Sequence, residues 1–292
     1  SILPPTQFHF ASEFETMYRH FLGLVIVAIL LMAAGSALAE TRIWDGGAGN
    51  NYWQTASNWD PDGYATSDHL TVDTTVVLAS GSSSVVVTGD GSLTIAPGGL
   101  LDVTTTSDLR LKNNAVFNLE GTLQRTTGTQ WFRLGDDGDL NATVNHSGVL
   151  STTSECHIAF NQYSGSGQVV YNMTGGTFAT TKWMGLGWTY ATDTGDMVAT
   201  FNQSGDAVVT VDSSIQMGIT NGSNSVGGDG TGYYNMSGGT LDTPSISIGH
   251  WSAGGGPSTG EFTQNGGVIG GATRPNVQIG VGAPSTGTYV MR

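Results

Sequence analysis

Apolar residues recur in pairs separated by one residue, and most of the pairs stand just before a glycine. They are Phe132/Leu134, Cys156/Ile158, Met184/Leu186, Ile215/Met217, Ile246/Ile248 and Val277/Ile279. A spacing of two places both side chains on one face of a β-strand. Upstream of each pair a second element opens on an aromatic or apolar residue followed by a polar one: Phe117-Asn118, Val144-Asn145, Tyr171-Asn172, Phe201-Asn202, Tyr234-Asn235, Phe262-Thr263, and finally Tyr289-Val290. Successive openings lie 27, 27, 30, 33, 28 and 27 residues apart. Between opening and closing pair comes a turn, clearest in Ser237-Gly238-Gly239 and Thr174-Gly175-Gly176, and then a short apolar step such as Thr240-Leu241 or Val268-Ile269. Leu93-Thr94-Ile95 with Leu109/Leu111 forms an earlier, looser copy.

No run has the length or the 3.6-residue period of a helix, so each repeat predicts two or three short strands joined by glycine turns. One such unit cannot bury its apolar face alone, whereas stacked units share a continuous core. The predicted fold is all-β: a parallel β-helix (β-solenoid) with one coil per repeat of 27–33 residues. A propeller blade would need a longer repeat, roughly 40 residues or more. Coils stacked at about 4.8 Å would make a rod of roughly 35 Å. The strands of this stack begin with Leu70-Thr71-Val72, Thr75 to Leu78, Val85-Val86-Val87 and Leu93-Thr94-Ile95, rich in the β-branched residues that strands favour.

The pattern also divides the chain. Residues 1–16 carry no periodicity and are expected to be a non-coding or unstructured leader. Residues 17–39 have the layout of a secretory signal peptide: Arg19 and His20, an apolar run over 21–32, then Ser36-Ala37-Leu38-Ala39 as an A-x-A cleavage site. The apolar run is shorter than the ~20 residues of a membrane span. Residues 40–70 hold three tryptophans, Trp44, Trp53 and Trp59, among Gly and Asn. They fit an N-terminal cap over the first coil, since terminal repeats must be atypical, and alternatively a stacking platform for sugars. Residues 71–292 are the solenoid, which stops three residues after Tyr289 opens another repeat and so reads as truncated, with any anchor downstream of Arg292.

Composition narrows the function. The chain has 292 residues, 44 of them Gly, with 11% charged residues and a formal net charge of −14. That charge works against nucleic acid and acidic glycans as partners. Cys156 is the only cysteine, so no internal disulfide exists, and its register makes it a small buried core residue rather than a nucleophile. His157 beside it is expected to point outward. No cofactor is implied.

Several residues are candidates for chemistry. The segment between closing glycine and next opening varies in length, so the edge formed by 187–200, 219–233 and 250–261 is the predicted binding edge. A glycosidase needs two carboxylates roughly 5–10 Å apart, and Asp193, Asp196, Asp229 and Glu261 lie on that edge. The repeats gather no set of Asp, Arg and Lys, and Lys112 and Lys182 are the only lysines, too few cations for a uronate lyase. Trp188 and Trp251, each shortly after a closing glycine, are candidate sugar-stacking residues two coils apart. Asp136, Asp137 and Asp139 are calcium candidates by their carboxylates, without the nine-residue rhythm of calcium-binding β-rolls. The N-x-S/T triplets at Asn141, Asn145, Asn172, Asn202, Asn221 and Asn235 match glycan acceptors. Asn118, Asn145, Asn172, Asn202 and Asn235, however, share one place in the coil and predict a ladder of amides.

The entrance W-D-G-G-x-G-x-x-x-W (44–53) with the following N-W (58–59), and the later S-G-G-T-L (237–241) and I-x-I-G (246–249), resemble secreted bacterial β-helical proteins of the autotransporter-associated β-strand and PEP-CTERM-type surface group. The resemblance runs from about Ile43 onward and implies an exported, cell-surface or matrix-associated protein. No outer-membrane barrel, Pro-Glu-Pro sorting tail or dockerin is present in this sequence. The expected role is a non-enzymatic structural or adhesive module of a larger surface protein, touching extracellular polysaccharide or neighbouring surface proteins and with no membrane span in its mature part. The alternative is a carbohydrate-active enzyme, or a glycan-binding module, using the long-loop edge.

Overall fold

Three strands per repeat, each set one coil beyond the last, build three parallel sheets in a computed structural model of the chain. It describes residues 39–78, 84–103, 109–126, 132–136, 140–161, 165–190, 195–221, 228–253, 256–270, 275–282 and 284–292. The signal-peptide region and the calcium candidates Asp137 and Asp139 lie outside them, as does Asp193. The predicted β-solenoid is what forms. The first sheet has eleven strands, the second eight and the third six, with a two-stranded sheet (Val85–Val87 with Leu109–Leu111) accompanying the early coils.

The register follows the repeat, with one shift in the third sheet between Thr220 and Asn221. In the first sheet Val144, Tyr171, Phe201, Tyr234, Phe262 and Tyr289 are successive partners. From Tyr171 on, their rings stack with centroids 4.7 to 5.4 Å apart. In the third sheet the column runs Phe132, Cys156, Met184, Ile215, Ile246, Val277. All but the last are buried, Cys156 fully, and burial pushes its thiol pKa well up. In the coil nearest Arg292, Val277, Ile279 and Met291 are 41%, 53% and 69% exposed.

At the N-terminal end Thr41–Trp44 is the first parallel rung, on His69–Val72, and Trp59–Asp60 pairs with it in antiparallel fashion. Trp44, Trp53 and Trp59 are buried, their rings in mutual contact at 4.7 to 5.8 Å. Trp53 Nε1 donates to Tyr64 Oη, which in turn donates to the Val86 carbonyl. The aromatic cluster therefore closes the core. The stacking faces that a sugar platform would offer are used against one another.

A backbone device shapes the third sheet. Just after the second residue of each closing pair the chain takes a positive φ, at Gly135 (92°), Ala159 (56°), Gly187 (65°), Gly218 (60°), Gly249 (70°) and Gly280 (66°). Three of these glycines also lie against backbone: a Cβ on Gly187 would meet the Thr231 carbonyl oxygen at 1.9 Å, one on Gly218 that of Thr259 at 2.0 Å, and one on Gly249 that of Thr286 at 2.3 Å. The bend lets the first and third sheets approach where the first sheet carries small inward residues, Ala142, Val169, Ala199, Gly232, Gly260 and Gly287 in register.

Candidate functional site

The bend has a consequence for the side chains after it. Phe160, Trp188 and Ile219, register partners immediately beyond the left-handed residues, form a second apolar cluster apart from the main core, with Trp183 packed on it. His157 belongs here. It points outward as expected, on the strand face opposite Cys156 and Ile158, yet it is fully buried, because this outer face is roofed. Its ring lies 4.6 to 5.2 Å from Trp188, Trp183 and Phe160, and the Arg133 guanidinium sits 4.8 Å from the Phe160 ring. Glu155 approaches His157 Nε2 at 3.5 Å. His157 first, then Trp183 and Lys182, hold the Glu155 carboxyl below its usual range against the opposing effect of burial. Ser247, on the same outer face, is also buried, at 5% exposure.

Trp188 is thus a packed residue, 4% exposed, whose ring faces contact neighbours. Nor does it share a column with Trp251. The partners of Trp188 are Phe160, Ile219 and then His250, whereas Trp251 pairs with Thr220, one position along. The one-residue difference in distance from Gly187 and Gly249 decides this.

The acidic candidates separate as well. Asp196 and Asp229 are stacked neighbours at the turn into the first sheet, and Asp196 Oδ1 accepts the Asp229 amide at 2.8 Å. The Asp196 amide donates to Ser166 Oγ, so this carboxylate belongs to a turn ladder. Burial, then the Asp196 charge, raises the Asp229 pKa. The register makes Pro257 the counterpart of Asp229 in the next coil, and Glu261 stands four residues further on, about 13 Å along the strand at ~3.3 Å per residue. Its Oε1 accepts from Thr263 Oγ1 in its own strand. The carboxylates do not converge on one groove. Asp136 ends the strand Phe132–Asp136, opposite Phe160. Among the described residues no group of three or more His, Cys, Asp and Glu is gathered as a metal site would require.

The amide ladder is present on the outer face of the first sheet. Asn235 donates to Asn202, Asn202 to Asn172, Asn172 to Asn145 and Asn145 to Asn118, at 2.9, 2.9, 3.4 and 3.0 Å. Asn118 ends it on Thr94 Oγ1 at 3.2 Å. A shared position in the repeat was signal enough for this feature. The Phe160–Trp188–Ile219 cluster had one too, a bulky residue directly after each left-handed position.

Along the opposite corner, where the second sheet turns into the third, Thr126, Thr153, Thr181 and Asp212 form an exposed column beside a notch of about 170 Å³. No family model, curated protein or solved structure matches this chain.

Proposed function

We propose that this chain is an exported β-solenoid spacer, a structural or adhesive module of a larger cell-surface or extracellular-matrix protein, with no catalysis of its own. The observation that carries the reading is the register of the three sheets, kept from coil to coil with one shift after Thr220, in which each coil's inward side chains pack against the coils on either side. The carboxylates Asp196, Asp229 and Glu261 serve turns and strand neighbours instead of facing one another across a cleft. The signal-peptide pattern in 17–39 and the likeness to autotransporter-associated and PEP-CTERM-type repeats supply the exported setting, and extracellular polysaccharide or neighbouring surface proteins are the partners that setting offers.

Two measurements test this. Residues 17–39 fused to a reporter active only after export should carry it out of the cytoplasm of a bacterial host, and retention inside would remove the surface role. The purified chain incubated with a panel of polysaccharides should release no product. Turnover abolished by Asp196→Asn or Asp229→Asn would replace the spacer with a carbohydrate-active enzyme working on the long-loop edge.

A further inference from the structure

The notch at the corner of the second and third sheets crosses four coils. Its base follows one outward column of the second sheet, in which Gln124, Ser151, Ala179 and Thr210 are successive register partners. Ser151 and Ala179 are small between larger neighbours, and the dip they leave is the notch. Its rim is the exposed column of Thr126, Thr153, Thr181 and Asp212, one coil apart each. Arg125 underlies one end, only 1% exposed, so threonines and the Asp212 carboxylate set the chemistry of the open side.

Two of the rim hydroxyls, and that of the buried Thr180 beneath them, already donate within the protein. Thr153 Oγ1 donates to the Arg125 carbonyl at 3.4 Å, Thr181 Oγ1 to the Thr153 carbonyl at 3.1 Å, and Thr180 Oγ1 to the Ser154 carbonyl at 2.7 Å. A threonine oxygen that has donated still has lone pairs to accept with. Thr153 and Thr181 therefore present acceptors beside their own methyl groups, and Asp212 adds an acceptor bearing negative charge. A ligand for such a strip must bring donors and a partly apolar face, and must not bring anionic groups, which Asp212 and the net charge of −14 would repel. The volume falls below the ~300–1,000 Å³ of sites that enclose a whole small molecule, so the notch suits one ring of a longer chain.

We propose that this strip is a binding groove for a neutral or amino-substituted polysaccharide strand laid along the solenoid axis, its hydroxyl or ammonium groups donating to Thr153, Thr181 and Asp212 and a ring seated over Ala179. The groove lies on a different corner from the long-loop edge, and the inference holds whether or not the chain is exported.

The test uses the whole chain with three hexasaccharides, from cellulose (neutral), from chitosan (amino) and from polygalacturonate (anionic), followed by titration calorimetry. Binding of the cellulose or chitosan probe is expected, and Ala179→Phe, which fills the dip from an outward position, should weaken it at least tenfold with an unchanged circular dichroism spectrum. Thr181→Val keeps the shape and removes the acceptor, and should weaken binding several-fold even if the Phe variant misfolds. Asp212→Asn should reduce preference for the chitosan probe. Absence of binding to all three probes, preference for the anionic one, or affinity untouched by Thr181→Val would overturn the groove.

Discussion

Tyr234 donates its buried phenolic proton to Gln203 Oε1 in the preceding coil, at 2.6 Å. The same relation joins Tyr289 to Gln264 at 3.0 Å, and Tyr171 Oη lies 2.7 Å from His146 Nδ1. Where the stacked ring is Phe201 or Phe262, the residue in the equivalent position of the coil before is Met173 or Met236. Polar meets hydroxyl and thioether meets plain ring, coil after coil, because a buried hydroxyl without a partner costs more than the bond gains.

Tyr234→Phe should therefore destabilise the chain by about 1–3 kcal/mol, since it strands Gln203 Oε1 in the core. Adding Gln203→Met should recover part of the loss, with a coupling of at least ~0.5 kcal/mol in a double-mutant cycle. Recovery is incomplete because Gln203 Nε2 also donates to the Ala207 and Thr240 carbonyls. Denaturant unfolding of the four proteins measures it, and strictly additive losses would show that the two side chains act independently.

His146 makes stability depend on pH. Its Nε2 lies 3.0 Å from the Gly148 carbonyl, so that nitrogen carries the proton and Nδ1 accepts from Tyr171. Burial lowers its pKa to about 4, against the carbonyl contacts that would raise it. An unfolded imidazole takes a proton near pH 6.5, so between about 6.5 and 4 only the unfolded chain is protonated. This contribution is complete above pH 6.5 and falls away as pH drops toward 4, by about 3 kcal/mol in all. His146→Gln, which imitates Gln203 and Gln264, should flatten that part of a pH–stability curve.

Gly187→Ala should cost at least ~2 kcal/mol, from its positive φ and from a methyl driven into the Thr231 carbonyl. Ala159→Gly should do the reverse and gain up to about 1 kcal/mol, because alanine there already bears the left-handed conformation. Thermal melts of the pair should shift in opposite directions.

Ile248→Asp would bury a carboxylate between Met217 and Ile279, a loss of several kcal/mol. Alternation alone would make Ser247→Asp harmless, yet Ser247 is covered on its own side and the substitution should also be costly. Gln168→Asp, at an exposed place on the first sheet, should stay within about 0.5 kcal/mol. Hydrogen exchange should show protection lost around 201–288 in the first two variants and unchanged in the third.

The difference between Ser247 and Gln168 marks how far the sequence could be read. Period two states which face of a strand a residue takes, and the repeat states what lies above and below it, so the inward columns, the Cys156 environment and the Asn118–Asn235 ladder were legible. Neither pattern states what covers the outer face. That depends on the left-handed residue at 159, 187 and 218 redirecting Phe160, Trp188 and Ile219, and through them burying His157. The same residue counts from its own position, so Trp188 and Trp251 fell into different columns although both follow a closing glycine. The threonine groove had no signal in periodicity, because it arises from the size of Ser151 and Ala179 relative to their register partners.

The hydrogen bonds between coils all run along the axis of the stack, as parallel strands set across that axis require. A pull on the two ends of the solenoid would load those bonds lengthwise and one rung at a time, instead of shearing a whole sheet at once. Each coil that peeled away would release about 27 residues, roughly 90 Å of slack in place of a step of about 4.8 Å. A filament that holds its shape under sideways load would in this way yield under tension by paying out line, coil after coil, and rewind when the tension fell.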